Sequence, residues 1–581
     1  MSDDSTVGLT RRDVLKLGAA AGAGVSLAPL LAPSVAVAAA AAAPGDFNEM
    51  TIVQLQGLMG SKQASSVDLV NFYLQRIRAL DQNGPTVNSV IEVNPDALSI
   101  ASALDAEREN GKVRGPLHGV PILLKDNVDT HDRMQTAAGS LALVGTPAPQ
   151  DSTVAARLRA AGAVILGKTT LSEWANFRSF FSTSGWSGRG GQCNSPYAID
   201  RNPCGSSSGS AAAASANFTA VSIGTETDGS IVCPANHSAV VGIKPTVGLT
   251  SRAGVVPISH TQDTIGPHAR TVADAAAVLT AIVQRTPDPR DAATSGNRNL
   301  IPNDYTKFLD PNGLRGARIG VARDFEGFSP HTDSVFEDAL TAMRSAGATL
   351  VDVFFPHIHD INTGTNETVI LLFDFKGDVQ KYFASRVGVP VAGGTLQDAI
   401  NFNNANADRE MPFFAQELFD LAETFNITDP NAQTPLGPTY NQAIAADRLF
   451  GGAEGIDLLL QQNNLQAIVA ATDTPSWPTD LINADHFVFG SSSACAIVGY
   501  PIINVPMGFS FGVPVGISFM GTAFSEPTLI KLASGFEAAT QARQAPKFLA
   551  TLPFNTKGMP TPTRVHRRRN VPQGRVAPFR I

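Results

Sequence analysis

Cysteine is scarce in this chain, and its four cysteines follow no spacing that is typical of a disulfide scaffold or a zinc site. They are Cys193, Cys204, Cys233 and Cys495, and no two of them form a C-x-x-C pair. Small secreted scaffolds and structural zinc sites depend on regular patterns of this kind. The sequence therefore predicts four free thiols and no metal site.

Positive charge is also in short supply. The 43 lysines and arginines are outnumbered by 51 aspartates and glutamates, which gives a net charge of -8. A surface of this sign repels polyanions, so we expect no nucleic acid partner. The one basic cluster, RVHRRRN at residues 564–570, lies in a C-terminal tail (residues 564–581) that we expect to be a solvated terminal segment.

The N-terminus carries a long uncharged run. Arg11 and Arg12 precede residues 17–43, which contain no charged side chain. This order is typical of a twin-arginine export signal, and the small residues at 36–38 provide a cleavage pattern. A membrane anchor is the alternative, but alanine, glycine and two prolines dominate the run. We predict a signal peptide at residues 1–43, a periplasmic or extracellular mature protein, and no stable membrane insertion after cleavage.

The remaining chain, residues 44–581, alternates short apolar runs with helical stretches. NSVIEV begins at Asn88, AVIL at Ala163 and TAVSI at Thr219, and each has the length of a buried strand. Farther on, IVGYPIINVP and PVGISF look like paired strands that return to the same sheet. The alternation predicts an α/β fold with strands buried on both faces. Since no repeat or long linker interrupts it, we expect one large domain.

Residues 360–445 differ from the rest of the domain because they are polar and rich in asparagine, yet contain many phenylalanines. We interpret the segment as a helical elaboration of the domain that contributes to specificity. Most of its aromatic side chains are expected in the core, and a minority could line a pocket. These phenylalanines are Phe373, Phe375, Phe383, Phe402, Phe413, Phe414 and Phe419.

One motif is misleading. GAVILGKT, from Gly162 to Thr169, matches the phosphate-loop pattern letter for letter. In a true phosphate loop a strand precedes the first glycine, and the residues that follow curl around the phosphate. Here the residues between the glycines are themselves the expected strand, and an extended run cannot wrap a phosphate. We therefore predict no nucleotide site.

In the run GVPILLKDNVDT, at residues 119–130, Lys125 lies at the end of an expected apolar strand. A lysine in that position either extends its amine to water along its own stem or is held neutral for chemistry. The first explanation fits most lysines of this kind. Lys125 therefore needs other catalytic groups before a function can be assigned to it.

Two stretches rich in glycine and serine supply such groups. They are PCGSSSGSAAAA, at residues 203–214, and GTETDGSIVCP, at residues 224–234. Together with GVPILLKDN they resemble the amidase signature family, and the shorter stretches WANF, SGWS and VGIKPTVGL resemble its peptide amidase branch. The resemblance extends over residues 46–545 and is densest at residues 115–267. It implies the family's fold, a single α/β/α domain with a mixed central sheet covered by helices.

The resemblance also implies a catalytic triad, with Lys125 as base, Ser206 as relay and Ser230 as nucleophile. Burial would depress the pKa of the lysine, and a hydroxyl can donate to one neighbour while it accepts from another. The same resemblance implies a cis peptide bond before Ser206, and neither a metal nor an organic cofactor. We expect an acyl-enzyme on Ser230, loss of ammonia or an amine, and hydrolysis by water.

The family builds its oxyanion hole from backbone N–H groups, which here would be those of Thr227, Asp228 and Gly229. Three residues depart from the commonest pattern: Cys204, Ser208 and Asp228 stand where glycine is usual. The change at Asp228 matters most, because a carboxylate that faced the hole would oppose the developing oxyanion. We therefore expect the side chain of Asp228 to point away or to be paired.

Several functions remain open at this point. The favoured one is hydrolysis of a primary carboxamide, above all the C-terminal amide of a peptide, so the expected partner is a small-molecule or peptide amide. Aliphatic, fatty or aryl amides and esters suit the same triad, and a catalytically silent binding protein is the non-enzymatic alternative. A histidine-based hydrolase would use His237, His260 or His268 with Asp263, but no G-x-S-x-G motif accompanies them. A transfer-RNA amidotransferase subunit shares the signature, but it would need a basic face. The oligomeric state is left open.

Overall fold

The computed structural model describes residues 45–296 and 298–553. The predicted signal peptide, its cleavage region and the basic tail lie outside the described residues. Within this part of the chain, no helix combines the length and the apolar character that a membrane crossing requires.

Thirteen strands are present among the described residues. In chain order they are β1 Val90–Val93, β2 Pro121–Lys125, β3 Val164–Thr169, β4 Trp186–Ser187, β5 Gly191–Gln192, β6 Val221–Glu226, β7 Val241–Lys244, β8 Thr264–Ala269, β9 Arg318–Ala322, β10 Thr349–Val353, β11 Ala467–Ala471, β12 Ile502–Ser510 and β13 Val513–Met520.

Eleven of these strands form one mixed sheet, in the order β1-β3-β2-β6-β8-β7-β12-β13-β11-β9-β10, and β4 pairs with β5 in a small ribbon. β3, β2 and β6 run parallel, as do β11, β9 and β10, and the strands between β6 and β11 pair antiparallel. The predicted α/β fold with a mixed central sheet is confirmed. Because β2 and β6 are parallel neighbours, their carboxyl ends lie side by side, and those ends lead into two of the predicted catalytic motifs.

Helices cover this sheet and also form a layer beside it. In chain order they are α1 Ile52–Gly60, α2 Ser66–Arg76, α3 Ala97–Glu109, α4 Thr153–Ala160, α5 Ser208–Ser215, α6 Val232–His237, α7 Val272–Ile282, α8 Pro330–Ser345, α9 Ile358–Thr363, α10 Asn366–Ala384, α11 Leu396–Ala405, α12 Ala407–Glu410, α13 Glu417–Glu423, α14 Tyr440–Asp447, α15 Asp457–Gln462, α16 Ser493–Ala496 and α17 Glu526–Thr540.

The buried apolar residues fall into one large core around the sheet and a second core beside it. The large core contains the apolar residues of β2, including Leu123 and Leu124, which are fully buried. The second core joins α10, α11 and α13 to side chains such as Trp174 and Phe177. The segment of residues 360–445 is therefore helical, as predicted, and it has a core of its own.

Local patterns formed as the sequence indicated. The GAVILGKT segment contains β3, and Lys168 lies within that strand, donating to the carbonyl of Val128 and the hydroxyl of Thr136. It has no phosphate-loop geometry. The runs at Ile502–Ser510 and Val513–Met520 pair antiparallel in the main sheet, as expected.

Candidate active site

Lys125 is the last residue of β2, and its side chain is fully buried. Its Nζ lies 2.7 Å from Ser206 Oγ, 2.9 Å from Thr225 Oγ1 and 3.2 Å from the carbonyl oxygen of Thr225. The amine therefore does not extend to water. At the end of β2, the amine lies in a closed position between the loop that contains Ser206 and the end of β6.

Burial lowers the pKa of Lys125 to about 7, because the charged ammonium loses its hydration. The negative charges of Asp263 and Glu226 oppose this effect and raise the pKa in part. A lysine with a pKa of about 7 is neutral in roughly half of the molecules at neutral pH, so it can accept a proton. The prediction that burial would depress the pKa of this lysine agrees with the structure.

Ser206 lies in the loop before α5 and is fully buried. The peptide bond between Gly205 and Ser206 is cis, as the family resemblance implied. The carbonyl of Ser206 accepts a hydrogen bond from the N–H of Ser172 at 3.1 Å, and this bond holds the loop against a neighbouring segment. The structure thus brings Ser206 into direct contact with Lys125.

Ser230 follows Gly229, which has a φ of 76° that favours glycine, and its side chain lines the main cleft. The N–H of Ser207 donates to the carbonyl of Ser230 at 3.1 Å, so the two serine-rich loops are joined through their backbones. Within the described chain, Ser230 Oγ has no hydrogen-bond partner, and its hydroxyl does not bond to Ser206. Lys125 and Ser206 are therefore in direct contact, and Ser230 lies in the neighbouring loop.

The expected oxyanion segment lies between β6 and α6. The N–H groups of Asp228 and Gly229 donate to no other residue in the described part of the chain, so they are available to a ligand in the cleft. The Asp228 carboxylate accepts hydrogen bonds from Ser492 Oγ at 2.5 Å and Ser493 Oγ at 2.6 Å. The side chain is paired, as expected, and both serines come from the beginning of α16.

The Asp228 carboxyl is nevertheless costly to ionise. Burial raises its pKa above the ordinary value, while the hydroxyls of Ser492 and Ser493 and the charge of Lys244 act in the opposite direction. Lys244 is itself fully buried at the end of β7 and donates to the carbonyl of Tyr500 at 2.6 Å. The hydrogen bonds from the two serines fix where the carboxylate lies.

Two residues that position the site, Thr225 and Glu226, were not identified from the sequence. Thr225 accepts from Lys125 through both its carbonyl and its hydroxyl, and the same hydroxyl accepts from Asn127 Nδ2 at 3.0 Å. Glu226 Oε2 accepts from the N–H groups of Ile231 and Val232, at 2.7 and 2.9 Å, and so fixes the turn that carries the predicted nucleophile. Both residues lie in GTETDGS, so the motif contained them without revealing their contacts.

The prediction of four free thiols is wrong for two of them. Cys204 and Cys233 form a disulfide, whereas Cys193 and Cys495 are free and buried. The bond connects the loop before Ser206 to α6. His237 lies near the disulfide, so potential ligand atoms of all three residues come within 4.8 Å of one another. Disulfide sulfurs are not the thiolates that bind zinc, and the oxidised pair therefore provides no thiolate site.

The cleft that contains Ser230 is partly open to solvent. Its aromatic side chains are Phe177, Phe180, Phe325, Phe328, Trp477, Phe487 and Phe489. From residues 360–445 only Asn362 and Leu371 line it. The phenylalanines of that segment therefore do not form the wall, and Phe375, Phe383 and Phe419 pack in the second core instead. A loop at residues 473–490, between β11 and α16, contributes much of the wall.

The histidines considered as alternatives do not assemble a second catalytic site. His237 and His268 are fully buried, and burial lowers the pKa of each to about 4, so both are neutral. His260 lies 2.8 Å from Asp378 Oδ2 on a partly exposed surface. No histidine of the described chain lines the cleft with Ser230.

Comparison with known proteins identifies the family of this chain. The amidase family profile matches residues 68–530. A probable amidase of Arabidopsis thaliana is 44% identical over 512 residues, which are 87% of this chain and 92% of the relative. The peptide amidase of Stenotrophomonas maltophilia is 47% identical, with a TM-score of 0.79 and coverage of 87% of this chain and 100% of that one. A peptide amidase bound to the competitive inhibitor chymostatin is also 47% identical, with a TM-score of 0.80 and coverage of 86% and 99%.

The fold and the family match define a hydrolytic α/β enzyme, and the chain belongs to the amidase signature family. The protein is an amidase, an enzyme that hydrolyses amide bonds.

Proposed function

We propose that this amidase hydrolyses the C-terminal primary amide of peptides to a carboxylate and ammonia, with Ser230 as nucleophile, Ser206 as relay and Lys125 as base. The observation that carries the proposal is the 2.7 Å contact between Lys125 Nζ and Ser206 Oγ, beside a cleft that Ser230 lines. Among the described residues, no other lysine contacts a serine of the two motifs at residues 203–214 and 224–234.

The contacts of Lys125 suit a change of protonation state. The carbonyl of Thr225 can only accept, and Lys125 also donates to the hydroxyl of Thr225, so these two contacts use N–H donors of the amine. In the neutral amine the remaining lone pair faces Ser206. Ser206 then gives its proton to Lys125 while it receives the proton of Ser230, and the oxygen of Ser230 attacks the carbonyl carbon.

The bond from Ser230 to the carbonyl carbon forms as the carbonyl oxygen becomes negative. In this proposal the N–H groups at Thr227, Asp228 and Gly229 stabilise that charge. The C–N bond then breaks, and the proton held by Lys125 returns through Ser206 to the leaving ammonia. Water repeats the sequence on the acyl-enzyme: it loses a proton to the relay, releases the carboxylate product, and regenerates the hydroxyl of Ser230.

The peptide substrate is supported by the cleft and by the relatives. Seven aromatic side chains line the cleft, which is more wall than a primary amide alone requires. Its aromatic walls can contact side chains upstream of the amide. Both solved peptide amidases are similar to this chain over almost their whole length.

A panel of substrates tests this assignment. The mature protein is mixed separately with a dipeptide amide, a longer amidated peptide, a fatty primary amide and an anilide, and release of ammonia or amine is followed. We expect the amidated peptides to be hydrolysed with the highest kcat/KM. Additional contacts raise kcat only if they strengthen at the transition state, so the longer peptide separates binding from catalysis. A clear preference for the anilide or the fatty amide contradicts the peptide assignment, and no release from any substrate contradicts the mechanism as well.

We also propose that the protein is exported by the twin-arginine route and acts in the periplasm or outside the cell. Arg11 and Arg12 and the run that follows them motivate this proposal. The Cys204–Cys233 disulfide supports it, because disulfides persist in oxidising compartments.

A further inference from the structure

The cleft that contains Ser230 is lined by three aspartates and by no basic side chain. The aspartates are Asp228, Asp473 and Asp485, and lysine, arginine and histidine are absent from the described residues that line the cleft. Each of the three carboxyls has a raised pKa, with burial as the main cause. The three differ in how far the protein itself satisfies them.

Two of the carboxylates are occupied. Asp228 receives one hydroxyl on each oxygen, as described above. Asp485 accepts from the N–H of Ser184 at 3.1 Å, from Asn202 Nδ2 at 3.3 Å and from Trp477 Nε1 at 3.3 Å. Each oxygen of Asp228 and Asp485 therefore already accepts a hydrogen bond from the protein.

Asp473 is different. It lies just beyond β11, only 3% of it is exposed, and its Oδ1 accepts from the N–H of Thr474 at 2.7 Å. No basic side chain in the described ranges comes within 4.0 Å of its carboxylate. The charges of Asp228 and Asp485 add to burial in raising its pKa, so the group lacks a positive counter-charge.

The second oxygen of Asp473 lies close to Gly490 and to the ring of Phe487. Gly490 pairs with Asp473 in an isolated antiparallel bridge. A β-carbon at Gly490 would lie 3.5 Å from Asp473 Oδ2 and 2.8 Å from Phe487 Cζ. The ring of Phe487 therefore packs directly against Gly490, on the side where Asp473 Oδ2 lies, and all three residues line the cleft. A carboxylate beside an aromatic ring is a favourable environment for a cation.

We propose that Asp473 is a specificity-determining residue that accepts a hydrogen bond from a positively charged nitrogen in the acyl part of the substrate. Cationic amides are therefore preferred over neutral amides of the same size. An ammonium group supplies the counter-charge that Asp473 needs to stay ionised, whereas a carboxylate in the acyl part meets no basic side chain among the described residues that line the cleft. The proposal deepens the proposed function, on which it rests for the choice of peptide amides.

Acetylated tripeptide amides of alanine test the inference, with lysine or norleucine placed at one position at a time. Norleucine has the four-carbon side chain of lysine but lacks the terminal ammonium. We expect a lysine preference in kcat/KM of roughly tenfold or more at one position, the range for a hydrogen bond to a charged group. In Asp473→Asn that preference disappears, while kcat/KM for the norleucine peptide changes by less than about threefold. A purely structural defect would lower both substrates together.

Two further variants keep the test decisive. Asp408→Asn removes the same charge from an exposed site and should retain the lysine preference. Gly490→Ala keeps the carboxylate, but its methyl group lies 3.5 Å from Oδ2 and displaces the ring of Phe487, so it should reduce the preference even if Asp473→Asn does not fold. The inference is wrong if no position prefers lysine, or if the preference survives in both Asp473→Asn and Gly490→Ala.

A failure of the peptide assignment is distinguished by a second substrate pair. The pair is 6-aminohexanamide and heptanamide, which have similar lengths and differ in the terminal ammonium. If peptides are not hydrolysed but this pair is, the preference for the amine and its loss in Asp473→Asn still support the role of Asp473. Equal rates for the two amides would contradict it.

Discussion

Lys125 Nζ and Ser206 Oγ lie 2.7 Å apart, in a position where both side chains are fully closed to solvent. This contact joins the end of a parallel strand to the loop before α5, two elements that are distant in the sequence. It gives the buried amine a hydroxyl partner on the side that faces the predicted nucleophile.

Removal of any member of the triad should abolish most of the activity. Ser230→Ala should leave almost no turnover of an amidated peptide, and Lys125→Ala and Ser206→Ala should each lower kcat by several orders of magnitude, because members of one catalytic unit fail together. Steady-state ammonia release measures each variant. His260→Ala is the matched control and should keep its activity. Loss of activity in that control with retention in Ser230→Ala would require a histidine mechanism.

The pH dependence should report Lys125. Only the neutral amine acts as base, so kcat/KM should rise with pH, tenfold per unit below about 7, and level off above it. Asp263 raises the pKa of the lysine, so Asp263→Asn should move the midpoint to lower pH. Rates with a peptide amide between pH 5 and 9 measure both profiles. A flat profile across pH 6–8, or a shift to higher pH in Asp263→Asn, would contradict the assignment of the base.

The pairing of Asp228 should matter for catalysis. A variant with both Ser492→Ala and Ser493→Ala leaves the buried carboxylate without its hydroxyl donors, beside the N–H groups proposed to stabilise the oxyanion. We expect kcat to fall by about tenfold or more, since a carboxylate released from the two serines can turn towards these N–H groups and oppose the developing oxyanion. Ser345→Ala, at an exposed site, is the control. Unchanged kcat in the double variant would show that the position of the carboxylate is irrelevant.

The disulfide makes a prediction that does not depend on activity. Denatured protein without reductant should contain two reactive thiols, those of Cys193 and Cys495, and reduction should expose two more. Replacing Cys204 and Cys233 by serine should lower the free energy of unfolding by about 2–4 kcal/mol. Thiol titration and denaturant unfolding measure the two effects. Four reactive thiols before reduction would contradict the bond.

Much of the fold could be predicted because buried strands leave a local pattern. The apolar runs of β2, β3 and β6 could be recognised as strands from their length and composition. The strand character of GAVILGKT was sufficient to reject a phosphate loop. The three triad candidates were found because each lies within a motif that resembles the family. These are local signals, and the sequence contains them directly.

The remaining features depend on contacts between distant segments. Cys204 and Cys233 are separated by 29 positions, and only the folded loops bring their sulfurs together. Most phenylalanines of residues 360–445 pack in or against the second core, and none of them lines the cleft. The aromatic wall of the cleft comes from other segments, including the loop that contains Trp477 and Phe487. Composition indicates that an aromatic side chain is buried, but it does not indicate which cavity the side chain meets.

Mass spectrometry of the acyl-enzyme tests the central claim most directly. The protein is mixed with an excess of an amidated peptide, quenched in acid within the first turnovers, digested and analysed for an added acyl group. We predict a mass increase equal to the peptide acyl group on the fragment that contains Ser230, and no increase in Ser230→Ala. An acyl group on another residue, or ammonia release at full rate from Ser230→Ala, would contradict the account.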